Sequence, residues 1–128
     1  MEQIPERANL AAEVVVDAAL TVHRVLGPGL LESVYSVCLA HELRKRGARV
    51  LREVALPIKY DDIILDAGLR LDMLVDDCLI VELKAVECLL PVHKAQVLTY
   101  LKLTGHRLGL LINFNTPLIR DGIRRVVL

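Results

Sequence analysis

The sequence predicts an α/β (α+β) fold in which helices pack against one mixed β-sheet. Apolar residues recur at three- and four-residue spacing in residues 10–46, as they do in amphipathic helices, and Pro91 and Gly105 mark the start and end of a third helix. Between and after these segments apolar residues alternate with polar residues or form short continuous runs, as in strands. The resulting order of two helices, three strands, one helix and two strands favours helices layered on a single sheet. No linker or repeat interrupts the chain, so we expect one domain over residues 1–128.

The first two helices are predicted from their apolar stripes and their end signals. A candidate N-cap at Asn9 precedes the first stripe, and Gly27-Pro28-Gly29 ends that helix. The first stripe contains Leu10, Val14, Ala18, Val22 and Val25. A second helix is expected over residues 30–46, where three basic residues and then Gly47 favour termination. Its apolar side contains Leu31, Val34, Tyr35, Cys38 and Leu39.

Turn residues place the remaining elements. Residues 49–60 predict one or two strands broken near Pro57, and residues 63–75 predict a strand with a bulge at Gly68. Turns are expected at Asp61-Asp62 and Asp76-Asp77. The later elements are a strand over residues 79–86, a helix over residues 91–104 closed by Gly105, and strands over residues 107–114 and 122–128.

Composition limits the classes of function. The 16 Lys and Arg residues balance 16 Asp and Glu residues, which excludes binding of nucleic acid through net charge alone. The apolar content of 54 % excludes a disordered chain, and no apolar run reaches the roughly 20 residues that cross a bilayer. Such an aliphatic excess in a small chain indicates an oligomer interface.

The location of the protein is predicted from its charged residues and cysteines. Charges at Glu2, Glu6, Arg7 and Glu13 argue against a signal peptide. The three cysteines form no C-x-x-C pair, and the four histidines lack the spacing of metal ligands. We therefore expect a reducing, cytoplasmic location without a disulfide framework or a zinc site.

The most informative segment is Arg70-Leu71-Asp72, followed ten residues after Asp72 by Glu82-Leu83-Lys84. A strict two-residue loop at Asp76-Asp77 would put Asp72 and Glu82 on opposite faces of the hairpin. A register shifted by one residue creates one continuous apolar face and brings Asp72 across from Glu82. Its apolar pairs are Val75 with Leu79, Met73 with Val81 and Leu71 with Leu83. We therefore predict a three-residue loop or a bulge.

Two facing carboxylates about 5 Å apart repel each other unless a positive charge lies between them. Either Lys84 neutralises the pair and nothing else happens, or the carboxylates bind a divalent cation beside Lys84. Taken alone, Glu32 is typical of a carboxylate near a helix N-terminus. Gln96 and Tyr100, with His93 one turn earlier, are typical of a partly polar helix face.

Several motifs together resemble the GxxExxY protein family. They are Gly29-x-x-Glu32-x-x-Tyr35, Arg70-x-Asp72, Ile80-Val81-Glu82-Leu83-Lys84-Ala85, Pro91-x-His93-x-Ala95-Gln96-x-Leu98-Thr99-Tyr100-Leu101 and Gly109-Leu110-Leu111-Ile112-Asn113-Phe114. This family is similar to a small branch of the PD-(D/E)XK nuclease superfamily with RecB-like motif order. Leu69 departs from the aromatic residue expected before Arg-x-Asp, and three scattered cysteines cannot supply the iron–sulfur cluster of one RecB-like subgroup.

The resemblance implies a restriction-endonuclease-like three-layer core, with a mixed β-sheet flanked by helices. It implies that Asp72, Glu82 and the Leu83 carbonyl bind Mg²⁺ or Mn²⁺, with Glu32 completing the site directly or through water. Lys84 is then expected to orient or deprotonate the attacking water, and Gln96 to hold Lys84 or the water. Supporting or substrate-contacting positions are expected at Tyr35, Arg70, His93 and Tyr100.

These implications lead to a leading hypothesis and two alternatives. The leading hypothesis is a Mg²⁺- or Mn²⁺-dependent nuclease that hydrolyses phosphodiester bonds, with DNA favoured as the substrate and RNA as the alternative. One alternative is a non-catalytic, nuclease-like binding or assembly module, and the other is a small-molecule metal enzyme of the same geometry. So small a domain has little room for a substrate channel, so we expect a homodimer or a partner protein to extend the DNA-contacting surface.

Overall fold

The computed structural model describes residues 3–128 and, of Ala67, only the backbone. The elements are α1 Glu6–Leu26, α2 Glu32–Lys45, β1 Val50–Tyr60, β2 Ile63–Val75, β3 Leu79–Lys84, α3 Pro91–Thr104, β4 Leu108–Asn113 and β5 Ile123–Val127. A short 3₁₀ helix, Ile119–Gly122, precedes β5. The predicted order of helices and strands is confirmed. No helix in the described part of the chain is long and apolar enough to cross a membrane.

The five strands form one mixed sheet in the order β1-β2-β3-β4-β5. Only β3 and β4 are parallel, and α3 connects them as a crossover helix. One buried cluster joins α1 and α2 to one face of the sheet, and a second joins α3 to the other face. The predicted three-layer arrangement of helices around a mixed sheet is therefore confirmed.

The turn between β2 and β3 has the predicted three residues. Val75 pairs with Leu79, and Met73 pairs with Val81. Asp76 and Asp77 both adopt positive φ angles, 50° and 54°, and the N–H of Cys78 donates to the Val75 carbonyl. Aspartate tolerates this left-handed conformation better than most residues do. The register that the apolar alternation predicts is thus the observed one.

The prediction of one continuous apolar face on β2 and β3 is wrong at Leu71. Met73 packs in the cluster of α1 and α2, but Leu71, two residues earlier, packs in the cluster of α3. The reversal lies beside Glu53, which falls between the β1 residues paired with Met73 and Leu71 and has a φ of 52°. A left-handed residue breaks the two-residue alternation of a strand, so the hairpin changes the face that it presents. Leu71 therefore does not face the same layer as Leu83.

The bulge predicted at Gly68 is confirmed, and β1 is one strand rather than two. Leu56 pairs with Leu69 and Ile58 with Leu65, so three residues of β2 lie opposite Pro57 alone. A Cβ atom at Gly68 would approach the Ile58 Cδ1 to 2.6 Å. A side chain at position 68 would therefore have to displace the Ile58 side chain, which glycine leaves in place.

The prediction for α1 is wrong about its start and about two residues of its apolar stripe, Leu10 and Val25. The Pro5 carbonyl accepts hydrogen bonds from Ala8 and Asn9, so Asn9 lies inside the helix rather than at its cap. Leu10 and Val25 are exposed. Ala18 and Val22 are buried as predicted, and Val14 packs against the same cluster. The rest of the buried face consists of Ala8, Ala11, Ala12, Val15 and Ala19. Alanine methyl groups let the helix approach the sheet closely, which longer side chains on that face would prevent.

The second helix begins at Glu32, two residues later than predicted, and ends at Lys45. Leu31 and Val34 are exposed rather than part of the apolar side, whereas Tyr35 and Leu39 are fully buried. Gly47 has the expected positive φ of 83°, and the helix closes with a hydrogen bond from the Ala48 N–H to the Leu43 carbonyl. This later start places Glu32 on the first turn of α2.

Candidate active site

The candidate site lies where β2 and β3 separate. Their paired residues end at Met73 and Val81. Beyond that point the Asp72 N–H donates to the Glu82 Oε1 at 3.3 Å, and the Leu83 N–H donates to the Asp72 Oδ2 at 2.8 Å. Each carboxylate therefore accepts a hydrogen bond from a backbone N–H of the other strand. In a regular antiparallel pair, a backbone carbonyl is the acceptor of that hydrogen bond. The predicted facing of Asp72 and Glu82 is present.

Glu82 is a buried carboxylate beside another carboxylate. Its side chain lies on β3, and the residue is 3 % exposed. Burial, and secondarily the negative charge of Asp72, raise the pKa of Glu82 to about 8, against the smaller opposing effects of the Asp72 N–H and Lys84. In the absence of a cation, the pair thus favours binding a proton at Glu82.

Lys84 is held between the carboxylates and α3. Its Nζ donates to the Gln96 Oε1 at 3.2 Å and lies 3.9 Å from the Glu82 Oε2. Tyr100 follows Gln96 by one helical turn and is almost fully buried. Burial raises the pKa of Tyr100 to about 12, the charges of Glu82 and Asp72 add to the rise, and a hydrogen bond with Gln96 opposes it. The hydroxyl therefore stays protonated beside the site.

Glu32 faces the same group from the first turn of α2. Burial chiefly raises its pKa, the charge of Asp72 raises it further, and Lys84, the Ala85 N–H and His93 lower it. Among residues 3–128, however, no three His, Cys, Asp or Glu side chains are grouped closely enough to hold a metal ion. Asp72, Glu82, Lys84 and Gln96 are thus in direct contact, while Glu32 interacts with them across a gap.

Two grooves flank these residues. A cavity of about 450 Å³ between α2 and the β1–β2 hairpin is lined by Leu31, Glu32, Ser33, Ser36, Arg52, Glu53, Asp72 and Leu83. A second groove of about 450 Å³ on the α3 side is lined by Lys84, Val92, His93, Ala95, Gln96 and Thr99. Asp72 lines the first of these concave surfaces and Lys84 lines the second, whereas Glu82 lines neither.

Three residues that line the first cavity, Ser36, Arg52 and Glu53, were not predicted from the sequence. These residues have no motif of their own, and two of them come from β1. The spacing of Ser36 four residues after Glu32 is the one available signal, since it puts both on the same face of α2. The position of β1 depends on the bulge at Gly68, whose size the sequence does not specify.

The supporting residues predicted from the sequence lie in different places. The Tyr35 hydroxyl donates to the Gly27 carbonyl at 2.6 Å and accepts the Leu30 N–H, and its ring stacks on Phe114. Tyr35 thus holds the loop before Glu32 and does not line either groove. Arg70 is exposed and also lies outside the lining of both grooves.

His93 and Asn113 hold the loop between β3 and α3. The Nδ1 of His93 accepts the Leu90 N–H at 2.9 Å at the start of α3. The buried Asn113 side chain accepts the Val86 N–H and donates to the Val86 carbonyl, while the Phe114 N–H donates to the Lys84 carbonyl. These bonds end β3 at Lys84, two residues before the predicted end, and fix the backbone that carries the lysine.

Two carboxylates thus lie where two strands diverge and are followed by a lysine, and the sequence that forms this arrangement also matches a known family. A family model of the PD-(D/E)XK nuclease superfamily matches residues 9–126. The chain belongs to this superfamily. No curated protein and no solved structure matches it significantly.

The donor set of this PD-(D/E)XK protein fits the divalent metal ions that such nucleases generally use. Asp72 and Glu82 offer carboxylate oxygens from adjoining strands, and Glu32 offers a third carboxylate across a gap. Carboxylate oxygens are the ligand type that Mg²⁺ and Mn²⁺ prefer. Glu82 is buried next to Asp72, and its pKa is raised. A bound cation would compensate the repulsion between the two carboxylates, which otherwise favours protonation of Glu82. The site therefore suits a hard cation bound by oxygen ligands.

Proposed function

We propose that this protein is a metal-dependent nuclease that hydrolyses phosphodiester bonds in DNA. The observation that carries the proposal is the contact chain Asp72–Glu82–Lys84–Gln96 at the end of β3, which joins two carboxylates, an amine and an amide. The Gly29-x-x-Glu32-x-x-Tyr35 motif supports placing the chain in the GxxExxY branch of the superfamily. The proposed cofactor is Mg²⁺ or Mn²⁺.

In this proposal each residue has a defined part. Asp72, Glu82 and the Leu83 carbonyl would bind the metal ion, and Glu32 would complete the site directly or through water. A bound ion would lower the pKa of the attacking water and compensate charge on the phosphate. The Leu83 N–H orients the Asp72 carboxylate. Gln96 holds the Lys84 Nζ close to Glu82, where the amine orients the attacking water or takes its proton.

The assay compares cleavage of linear, nicked, circular and single-stranded DNA with Mg²⁺ or Mn²⁺ present. We expect Glu82→Ala and Lys84→Ala to lower the rate by at least about 100-fold, because each removes a group that acts in the transition state. Lys94→Ala and Glu87→Ala are matched controls, since both residues are exposed. Equal cleavage by the wild type and both site variants would contradict the proposal.

A non-catalytic binding module is the second candidate. The absence of a ready-made three-residue metal group in the described chain favours it. The same protein preparations distinguish the two candidates, because a binding module retains DNA in an anisotropy titration but releases no cleaved product under any metal condition.

We further propose a cytoplasmic homodimer, or a complex with a partner protein. The free state of Cys38, Cys78 and Cys88 supports a reducing compartment. Exposed apolar side chains at the end of the β1–β2 hairpin support an association surface, and these are Tyr60, Ile63, Ile64 and Leu65. A clean monomer in sedimentation at high protein concentration would exclude the homodimer.

A further inference from the structure

Arg52 is a cation in the cavity that also contains Glu32 and Asp72. Its side chain is half-buried, and its Nε donates to the Ser36 hydroxyl at 3.2 Å. Ser36 is 9 % exposed. Among the ion pairs of residues 3–128, none involves Arg52. A guanidinium is therefore fixed in this cavity by a neutral hydroxyl, without a carboxylate bound to it.

The geometry of α2 connects Arg52 to the metal-ligand residues. Ser36 lies four residues after Glu32, so the two side chains occupy the same face of the helix. On the hairpin, Arg52 pairs with Met73, the neighbour of Asp72. One helix face and one strand pair therefore place the guanidinium and the two carboxylates around a single cavity of about 450 Å³.

The donors of Arg52 define the ligand that it fits. A guanidinium has five N–H donors in a rigid planar fork, and Ser36 uses the one on Nε. The fork matches the oxygen geometry of a phosphate group and binds it with two parallel hydrogen bonds. The nearby carboxylates suit the proposed metal ion. A phosphodiester that contacts both the metal ion and Arg52 would therefore have its negative charge compensated from two sides.

We propose that Arg52, positioned by Ser36, binds a phosphate of the DNA backbone next to the bond that is cleaved. The proposal rests on the proposed nuclease function and identifies a substrate contact outside the Asp72–Glu82–Lys84–Gln96 group. Arg52 acts by holding substrate, so its loss weakens binding and raises KM more than it lowers kcat. Ser36 is a positioning residue, because it acts through Arg52.

The experiment measures DNA affinity and cleavage kinetics in matched variants. Affinity is determined by fluorescence anisotropy with a labelled duplex and Mg²⁺, in a Lys84→Ala background that prevents turnover. The variants are Arg52→Gln, Arg52→Lys, Ser36→Ala and, as the control, Arg125→Gln on β5, whose side chain contacts Asn9. Circular dichroism melting confirms that each variant is folded.

We expect Arg52→Gln to weaken affinity about 10-fold, to raise KM by a similar factor and to lower kcat less than about 3-fold. The slope of log affinity against log salt concentration should fall by about one, as for loss of one phosphate contact. Arg52→Lys should lie between wild type and Arg52→Gln, since it keeps the charge but loses the fork. Ser36→Ala should raise KM about 2- to 5-fold with the salt slope unchanged.

The outcomes separate this proposal from the proposed function. Cleavage that depends on Glu82 but not on Arg52, with unchanged affinity in Arg52→Gln, overturns the phosphate contact and leaves the nuclease intact. Binding that depends on Arg52 without any cleavage supports the phosphate contact and overturns the nuclease. A wild-type protein that neither binds nor cleaves DNA overturns both.

Discussion

The carboxylates of Asp72 and Glu82 lie between two separating strands, and each accepts a hydrogen bond from the backbone of the opposite strand. These two hydrogen bonds hold both carboxylates in position, and they replace two backbone hydrogen bonds of the sheet. The arrangement also leaves Glu82 buried beside a second negative charge, with a pKa of about 8. The site is therefore built at the expense of folding stability unless a proton or a cation is bound.

The first prediction concerns the pH dependence of stability in metal-free protein. Because the pKa of Glu82 rises from its ordinary 4.5 to about 8 on folding, the folded state binds more protons than the unfolded state between these values. The free energy of unfolding should therefore fall as the pH rises from 4.5 to 8, by an amount on the order of a few kcal/mol. The raised pKa of Glu32 acts in the same direction. Urea unfolding in the presence of a chelator measures the dependence.

Glu82→Gln tests the assignment of this pH dependence to one group. The variant cannot ionise, so most of the decrease in stability between pH 5 and 8 should disappear. Glu87→Gln, which changes an exposed acid, should keep the wild-type profile. Added Mg²⁺ should raise the melting temperature of the wild type more at pH 8 than at pH 6. An unchanged slope in Glu82→Gln would assign the effect to other groups.

The second prediction concerns Gln96, whose Oε1 accepts the hydrogen bond from the Lys84 Nζ. Gln96→Ala removes that acceptor and frees the amine, so kcat for DNA cleavage should fall about 10-fold or more with KM nearly unchanged. Gln96→Glu keeps an acceptor oxygen and should retain more activity than the alanine variant. Lys94→Ala, on the same helix but exposed, is the control. A rise in KM with constant kcat would show that Gln96 binds substrate instead.

Much of the sheet could be predicted because alternation of apolar residues specifies strand register. Val75 opposite Leu79 and Met73 opposite Val81 follow from that pattern, and the facing of Asp72 and Glu82 follows from the same register. Helix ends marked by Gly47 and Gly105 follow from local chemistry in the same way, since both residues adopt positive φ angles.

The remainder depends on tertiary packing that a linear pattern does not record. The alternation predicts that Leu71 and Met73 share a face, but the positive φ of Glu53 reverses the hairpin between them. The contact of Arg52 with Ser36 depends on the register that the three-residue bulge sets between β1 and β2, and no spacing in the sequence indicates it. On α1, Leu10 and Val25 are more hydrophobic than the alanines, so a hydrophobic pattern favours them as buried residues. The alanines nevertheless form most of the face that packs against the rest of the protein.

The third prediction concerns Tyr35, which is fully buried and holds the loop before Glu32. Tyr35→Phe keeps the ring stacked on Phe114 but leaves the Gly27 carbonyl and the Leu30 N–H without their partner. The free energy of unfolding should fall by about 1–3 kcal/mol. Tyr60→Phe, at an exposed tyrosine, should change it by less than about 0.5 kcal/mol. Equal effects of the two substitutions in urea unfolding would show that the hydroxyl does not hold the loop.

The fourth prediction concerns Glu53, an exposed strand residue with a φ of 52°. Strand propensity alone would favour valine there, but a β-branched side chain is strained in the left-handed region. Glu53→Val should therefore lower the free energy of unfolding by about 1–2 kcal/mol, whereas Glu53→Asn should stay within about 0.5 kcal/mol of the wild type. Ala55→Val, at an exposed position of the same strand, should be neutral or slightly stabilising. If valine is tolerated at position 53 as well as at position 55, then the strand does not reverse through a left-handed residue.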